Sequence, residues 1–429
     1  MRLIDIVDTF ISGDWGNESY TAETPFEVFC VRGADIVPIE KHDYKHVPRR
    51  FVSKRSYQEN LLRPGDIVVE KSGGSPTQST GRVCLIKEQL VEELHSVNCS
   101  NFCTAFRVKK EWNAEYVYLF IQHVYNSGVF FNFEGKTSGL KNLQLEQAYR
   151  AIDIPLIPFE EQTRIADVFR AIDNKIAINR AINQNLEAMA KQLYDYWFVQ
   201  FDFPNEGGKP YKSSGGMMVF NAIANRQIPQ DWEIVRLKDR CETYLGGTPS
   251  TENQDYWGGS YAWLNSGEVA EFPIVTSEKT ITQKGLDNSA TSFLKAGSVT
   301  LSITRHLRPS IMAIDACINQ SVVGIAENES FKHSYLYPLI AWDIPRLMKL
   351  RTGAQQPHIS KEVVDNIPLV VPTTDILQKY YENVAPIYLS ISNNAKQIQE
   401  LQKQRDGLLP LLMNGQVSVM QLNSDLSAD

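Results

Sequence analysis

The sequence predicts an α/β (α+β) fold in which two similar domains are separated by two long helices that pair within one chain as an intramolecular coiled coil. Two observations predict it: an apolar stripe at helical spacing occurs twice, and the flanking segments echo each other at the same offset. In the first stripe Ile165, Phe169, Ile172, Ile176, Asn179, Asn183, Leu186, Ala190, Leu193 and Trp197 step by fours and threes. That spacing buries one seam of a long helix against another helix, and at 1.5 Å per residue the striped part spans roughly 50 Å. The second stripe reads Tyr380, Val384, Ile387, Ile391, Asn394, Ile398, Leu401, Arg405, Leu408 and Leu412. An offset of 394 − 179 = 215 lays one on the other and places Asn179 on Asn394, as a sequence repeat does. A matched asparagine inside an apolar seam costs stability and serves to fix register and pairing. The plainer alternative is two unrelated core helices with asparagines by chance. The repeat also implies a pseudo-twofold arrangement.

The chain has 429 residues, 43% of them hydrophobic and 22% charged, enough for two to four domains with real cores. No apolar run reaches the roughly 20 residues of a bilayer span. Acids inside the apolar start MRLIDIVDTFISGDWG argue against a signal peptide. No membrane association and a cytoplasmic location are expected. The six cysteines are scattered, which fits reduced thiols better than a disulfide framework. His95, Cys99 and Cys103 step by fours, but VNCSNFCTAF is rich in strand formers, and a strand does not gather them into a tetrahedral set. No metal site is expected. The net charge of −7 argues against coating nucleic acid through bulk positive charge and leaves local basic faces to decide the matter.

Residues 1–157 read as the first α/β domain. Pro64-Gly65 forms a turn, Asp66–Val69 a strand, and Arg82–Ile86 a second strand across a Gly/Ser loop. That loop, Lys71-Ser72-Gly73-Gly74-Ser75, lacks the GxxxxGK[ST] spacing and suits a turn or a nucleic-acid backbone better than a nucleoside triphosphate. Glu115–Tyr125 reads as a buried helix, Gly135-Lys136-Thr137-Ser138-Gly139 as a break, and Ala151–Leu156 as a short strand. Pro158-Phe159-Glu160-Glu161 opens the first long helix, its acids favoured by the helix dipole. That helix region is assigned 158–204, and the Gly/Ser/Lys segment 205–218 after it is a linker with nothing to bury. The second α/β domain covers 219–371, with strands at 260–266 and 298–304, a turn at Lys295-Ala296-Gly297, and a helix at Ser334–Lys349. Tyr335-Leu336-Tyr337 parallels Tyr116-Val117-Tyr118, Ile367-Pro368-Leu369 parallels Ile154-Pro155-Leu156, and Gly353-Ala354-Gln355-Gln356 parallels the Gly135 break. The second long helix is assigned 372–415; Pro386 should kink it or make its early turns a separate piece. Residues 416–429 should form a frayed tail.

These motifs, in this order and over nearly the whole chain, resemble the specificity subunit of a type I restriction-modification system. The first half of the resemblance rests on Ile154-Pro155-Leu156, Glu160-Glu161-Gln162, Ile165-Ala166 and Ile172-Asp173-Asn174-Lys175-Ile176. The centre rests on Trp197-Phe198, Phe201-Asp202-Phe203-Pro204 and Pro210-Tyr211-Lys212-Ser213-Ser214-Gly215-Gly216. The second half adds Ile228-Pro229, Asp231-Trp232, Gly246-Gly247-Thr248-Pro249-Ser250, Tyr256-Trp257-Gly258-Gly259, Asn288-Ser289-Ala290 and Asn319-Gln320. The first domain departs from the pattern by lacking a clear counterpart of Gly246–Ser250, and Thr373-Thr374-Asp375 replaces the acid-acid-glutamine start. The resemblance implies that each domain is a target recognition domain reading half of a split double-stranded DNA target. It further implies that the helix pair sets the gap and docks two modification subunits, through which restriction subunits join. S-adenosylmethionine, ATP and magnesium would then sit on the partners, with no cofactor and no catalysis on this chain. A coiled-coil scaffold without DNA binding, or the specificity subunit of a related type IIB-like system, is the alternative.

Specific DNA reading needs Arg or Lys for phosphates and guanines, on loops that enter a groove. The richest stretch, EKHDYKHVPRRFVSKRSY, supplies Lys41, Lys45, Arg49, Arg50, Lys54 and Arg55, with His42 and His46. Lys71, Lys136 and Lys141 follow beside Gly-rich turns, and SITRHLRPS supplies Arg305, His306 and Arg308. The competing reading of any charge run is a solvated face, and it is preferred for Arg346, Lys349 and Arg351 on the predicted helix. An independent enzyme is the other rival class. Asp66, Glu70 and Lys71 imitate a nuclease pattern weakly, and no methyltransferase motif or phosphate-binding loop accompanies them.

Overall fold

The computed structural model describes residues 1–73, 78–137, 140–223, 225–417 and 419. Its contacts divide the chain into two compact units, residues 1–177 with 400–429 and residues 178–399. The expected frayed end 421–429, and Gly74, Ser75, Ser138 and Gly139 of the two Gly-rich breaks, lie outside the described residues.

In the first unit, strands Val7–Ser12, Cys103–Val108, Ile67–Glu70 and Val83–Leu85 form an antiparallel sheet in that order. All four residues of Ile67–Glu70 are buried, because both faces of the strand are covered. Ile67 and Val69 pack towards helix Ala114–Asn126, whereas Val68 joins Val31, Ile36, Val97 and Cys99 on the other side. A β-branched run of this kind suits a strand covered on both faces. The second sheet, Arg49–Val52, Phe26–Val31 and Val97–Cys99, has one antiparallel and one parallel pair.

The second unit repeats the scheme. Thr243–Leu245, Val322–Ile325, Val299–Ser302 and Arg308–Ile311 form the antiparallel sheet. Lys279–Ile281, Trp257–Leu264, Ala316–Ile318 and Ser292–Leu294 form the other, with its parallel pair in the corresponding place. Helix His333–Lys349 corresponds to Ala114–Asn126, so Tyr335 and Tyr337 take the places of Tyr116 and Tyr118, all four buried. The Leu237 N–H donates to the Ile367 carbonyl at 2.8 Å as Leu3 donates to Ile152 at 2.9 Å. The first domain also has its Gly246 counterpart. A Cβ on Gly13 would lie 2.0 Å from the Ser100 carbonyl oxygen, and one on Gly246 2.1 Å from that of Ile318, so both strands end where only glycine fits.

The first long helix runs Phe159–Tyr194 and continues as a π turn over Asp195–Val199; the second runs Thr374–Met413. Within the second unit they are antiparallel. Asn179 Nδ2 donates to Gln397 Oε1 at 2.7 Å, Asn183 Nδ2 to the Ile391 carbonyl at 3.0 Å, and Asn394 Nδ2 to Asn183 Oδ1 at 2.9 Å. The repeat-matched Asn179 and Asn394 therefore do not meet, since antiparallel pairing sends each to a different partner. Leu186, Leu193, Val384, Ile387 and Ile391 pack into the same core as Trp197 and Phe198. Phe198 stands edge-on to Tyr335 and to Tyr380, each at 4.8 Å. In the first unit Ile165 and Phe169 pack with Leu408, Leu409 and Leu412. Ile176 is buried, and Ile172, Ile398 and Leu401 are half-buried. Asp173 faces Arg405 there at 3.3 Å. Gln162 accepts from the Asn113 N–H at 2.8 Å and donates to the Ile157 carbonyl at 3.0 Å, latching the helix start to the cap of Ala114–Asn126.

Three expectations need correction. Residues 151–156 form no strand: Ala151 ends a short helix, and only an Arg2–Asp153 bridge follows, where the second unit has a four-residue pairing of Glu233–Arg236 with Pro368–Val371. Of the two outcomes expected of Pro386, the separate piece does not occur, because the second helix runs unbroken over Thr374–Met413; Ser390 Oγ donates to the Pro386 carbonyl at 2.9 Å, and Val384 and Tyr388 pack into the core on either side of it. Segment 205–216 does bury something: Tyr211 stacks on Phe203 at 4.7 Å, Phe203 stacks on Trp232 at 4.9 Å, and Asp202 accepts from the Ser213 N–H and hydroxyl, both at 2.7 Å.

Candidate nucleic-acid interface

The basic stretch of the first unit begins after the short helix Ile36–Glu40 and runs through strand Arg49–Val52 into helix Lys54–Glu59. Its cations differ in what they face. Lys41, Lys45, His46 and Lys54 are exposed. His42 meets Gln89 and the Tyr44 hydroxyl. Arg49 is exposed and lies 3.6 Å from Glu27, and Arg55 reaches Glu59 at 3.0 Å one helical turn on. Arg50 is only 8% exposed: its guanidinium lies 3.7 Å from the Trp15 ring centroid and 3.1 Å from Glu18. Arg50 is therefore built into the fold, and its stacking partner, 35 residues earlier, carries no sequence signal of the contact.

The second-line lysines are also placed differently. Lys71 is half-buried, and its backbone joins Phe102 and Leu143. Lys136 stands opposite Lys141 in the register of the Glu134–Thr137 and Leu140–Leu143 hairpin. Lys141 pairs with Glu134 at 3.1 Å, both largely buried, and lies 4.9 Å from the Phe131 ring centroid. Glu134 in turn accepts from the Thr80 N–H at 2.7 Å. Asp66 and Glu70, the weak nuclease-like pair, are both occupied. Arg107 binds Asp66 with two bonds of 2.8 Å, and Arg82 binds Glu70 with bonds of 2.8 and 2.6 Å. Those carboxylate hydrogen bonds raise both guanidinium pKa values above their ordinary range, and the pairs pin neighbouring strands.

In the second unit Arg305, His306 and Arg308 are exposed at a turn closing strands Val299–Ser302 and Arg308–Ile311. Arg305 adopts φ +56°, a left-handed conformation that costs about 1–3 kcal/mol outside glycine. Two bonds hold it there: its N–H donates to the Pro357 carbonyl at 2.8 Å, and its carbonyl accepts from Arg351 Nη1 at 2.8 Å. Among the described residues neither Arg305 nor Arg308 has an ion pair. Arg346 is committed to Asp343, with bonds of 2.7 and 2.5 Å. Arg351, grouped with Arg346 and Lys349 on a helix face from the sequence, stands just past the helix end and clamps the Arg305 turn.

All six cysteines are free and buried. Burial pushes the Cys30 thiol up to about 12 and the Cys103 thiol up to about 11, which makes both unreactive. Among the described residues no group of His, Cys, Asp and Glu is arranged to hold a metal ion, and no helix is long and apolar enough to cross a membrane.

The sequence pattern of the type I restriction modification DNA specificity domain matches this chain twice, over residues 53–188 and 229–403. The chain is 25% identical over 278 residues to the type I restriction enzyme MjaIX specificity subunit of Methanocaldococcus jannaschii, covering 64% of this chain and 62% of that protein. It is 21% identical over 313 residues to the HindI specificity subunit of Haemophilus influenzae, covering 60% of this chain and 67% of that one. The chain thus spans about three-fifths to two-thirds of those relatives. The crystal structure of a type I restriction-modification system S subunit from M. genitalium shares the fold, with a TM-score of 0.54 and 13% identity over 96% of this chain and 95% of that one.

Arg50→Ala should lower the stability of the first unit by about 1–2 kcal/mol, the worth of a desolvated cation–π contact. Alanine at Lys41, Lys45 or Lys54 should change it by less than about 0.5 kcal/mol. Urea denaturation of the four variants checks this; an Arg50→Ala midpoint equal to the parent's would return Arg50 to the surface cations.

Proposed function

Because the chain belongs to the type I restriction modification DNA specificity family, we propose that it is the DNA-reading subunit of such a complex, each α/β unit taking one half of a split duplex target. The observation that carries the reading is the repeat of one strand order in two units of a single chain, each with exposed cations on its loops. Two weak half-site readers held by one spacer make one bivalent binder. In the first unit Lys41, Lys45, Arg49, Lys54 and Arg55 supply phosphate contacts, with Lys71 and Lys136 as the second line; Arg50 and Lys141 support the segments that carry those contacts. In the second unit Arg305, His306 and Arg308 take this part. Sequence-independent phosphate contacts of this kind make binding fall with salt.

The chain performs no chemistry in this scheme. S-adenosylmethionine, ATP and magnesium belong to modification and restriction subunits, and the complex works in the cytoplasm. Support for a non-catalytic role comes from Asp66 and Glu70, whose oxygens are held by Arg107 and Arg82. The helix pair spaces the half-sites and docks two modification subunits. Ile178, Ile182 and Met189 lie on one face of the first long helix and remain exposed, an apolar stripe suited to a partner helix.

Three outcomes test the proposal. Combined alanine replacement of Lys41, Lys45 and Lys54 in the assembled complex should reduce the slope of log affinity against log salt by about 3; an unchanged slope removes these lysines from the contact set. Lengthening both long helices by four residues, after Ile182 in the first and at the facing turn after Asn394 in the second, should widen the preferred gap by about 6 Å and leave both half-sites intact. Insertion in the first helix alone would instead break the Asn183–Asn394 register and cost stability. Ile178→Asp with Ile182→Asp should abolish co-purification with the modification subunit while leaving the melting temperature within a few degrees; full retention would place docking elsewhere.

A further inference from the structure

We infer that residues 351–358 join the 304–308 turn in one base-reading surface of the second unit, in which Gln355 and Gln356 present side-chain amides to base edges. The two segments are a single piece of structure. Thr304 and Thr352 both bridge to His358, the Thr352 and His358 backbones exchange two bonds of 2.9 Å, and the Ile359 N–H donates to the Ile303 carbonyl at 3.0 Å. Arg351 closes the assembly from below, donating Nη1 to the Arg305 carbonyl at 2.8 Å and Nε to the Met348 carbonyl at 3.1 Å. His358 donates Nδ1 to the Gln356 carbonyl at 3.1 Å, which fixes the loop backbone beneath the glutamine.

The composition of this surface is unusual for the chain. Residues 304–308 and 351–358 contain three arginines, two histidines and two glutamines and no acid, in a protein with 50 acids against 43 lysines and arginines. Arg305, His306, Arg308, Gln355 and Gln356 are all exposed. A cationic, acid-free surface attracts the duplex backbone. An amide side chain offers a donor and an acceptor side by side, the pairing that adenine presents in the major groove, while an arginine fork matches guanine. Arg351 is a positioning residue: it sets the left-handed Arg305 backbone and thereby the direction of the turn.

This inference rests on the DNA-reading function proposed above, and the two fail differently. Methylated positions are mapped in cells carrying the partner subunits with the parent chain, Gln355→Ala/Gln356→Ala, Arg351→Ala or Arg351→Lys. Competition binding of the purified complexes to duplexes altered one base pair at a time accompanies the mapping. The glutamine pair should lower discrimination at one or two base pairs of a single half-site by about ten- to a hundredfold, with the other half-site and the melting temperature unchanged. Arg351→Ala should loosen the same half-site, and Arg351→Lys should not restore it, because one ammonium on a flexible stem does not reproduce the planar fork held between two carbonyls. An unaltered target in the glutamine variant overturns the inference, as does a change in both halves. Absence of any sequence preference in the parent complex would instead defeat the underlying function.

Discussion

The amide bonds inside the seam of the two long helices are the constraint on which the molecule depends. A seam of leucines and isoleucines tolerates a slip of one helical turn, because each apolar residue finds another apolar neighbour. Asn179 is 1% exposed, and a buried amide left unpaired costs about 1–3 kcal/mol. Its bond to Gln397, with those joining Asn183 to Asn394 and to the Ile391 carbonyl, penalises every register but one. Both helices take part in the core of an α/β head in each unit. The register of the seam is therefore also the register in which the head of the second unit is completed.

The heads show how one scheme accommodates different side chains. Phe198, Tyr335 and Tyr380 make an aromatic knot in the second unit, with the Tyr335 and Tyr380 hydroxyls satisfied by backbone carbonyls at 2.7 and 3.1 Å. The first unit uses Phe169 with Leu409, Leu412 and Tyr116 in the corresponding job, together with the polar pair Asp173–Arg405. Structural ion pairs occur in both: the first unit commits Arg82 and Arg107 to carboxylates and Arg50 to a ring, the second commits Arg236, Arg240 and Arg346 to carboxylates, and among the described residues Arg305 and Arg308 have no ion pair.

Much of this was legible in the chain, for definable reasons. The helix seam and the echo of Tyr116-Val117-Tyr118 in Tyr335-Leu336-Tyr337 follow from periodicity and order, which sequence carries directly. What was hidden depends on contacts distant in sequence. Gly13 matches Gly246 because each meets a backbone carbonyl far along the chain, that of Ser100 or of Ile318, and no neighbouring motif announces it. Arg50 read as a surface cation because its run is basic; Trp15 makes it a buried one. Arg351 read as part of a helix face, and only the folded loop brings it under Arg305. The offset aligned Asn179 with Asn394 as equivalent positions, and the partner of each, Gln397 and Asn183, follows from the antiparallel pairing.

The most direct test exchanges one head. Residues 219–371 of this chain are replaced by the matching segment of a relative, and methylated positions are mapped in cells that supply the partner subunits. The account predicts a gapped target in which one half takes on a new sequence while the gap and the other half stay as they were. A continuous target, or a change on both sides of the gap, would contradict it.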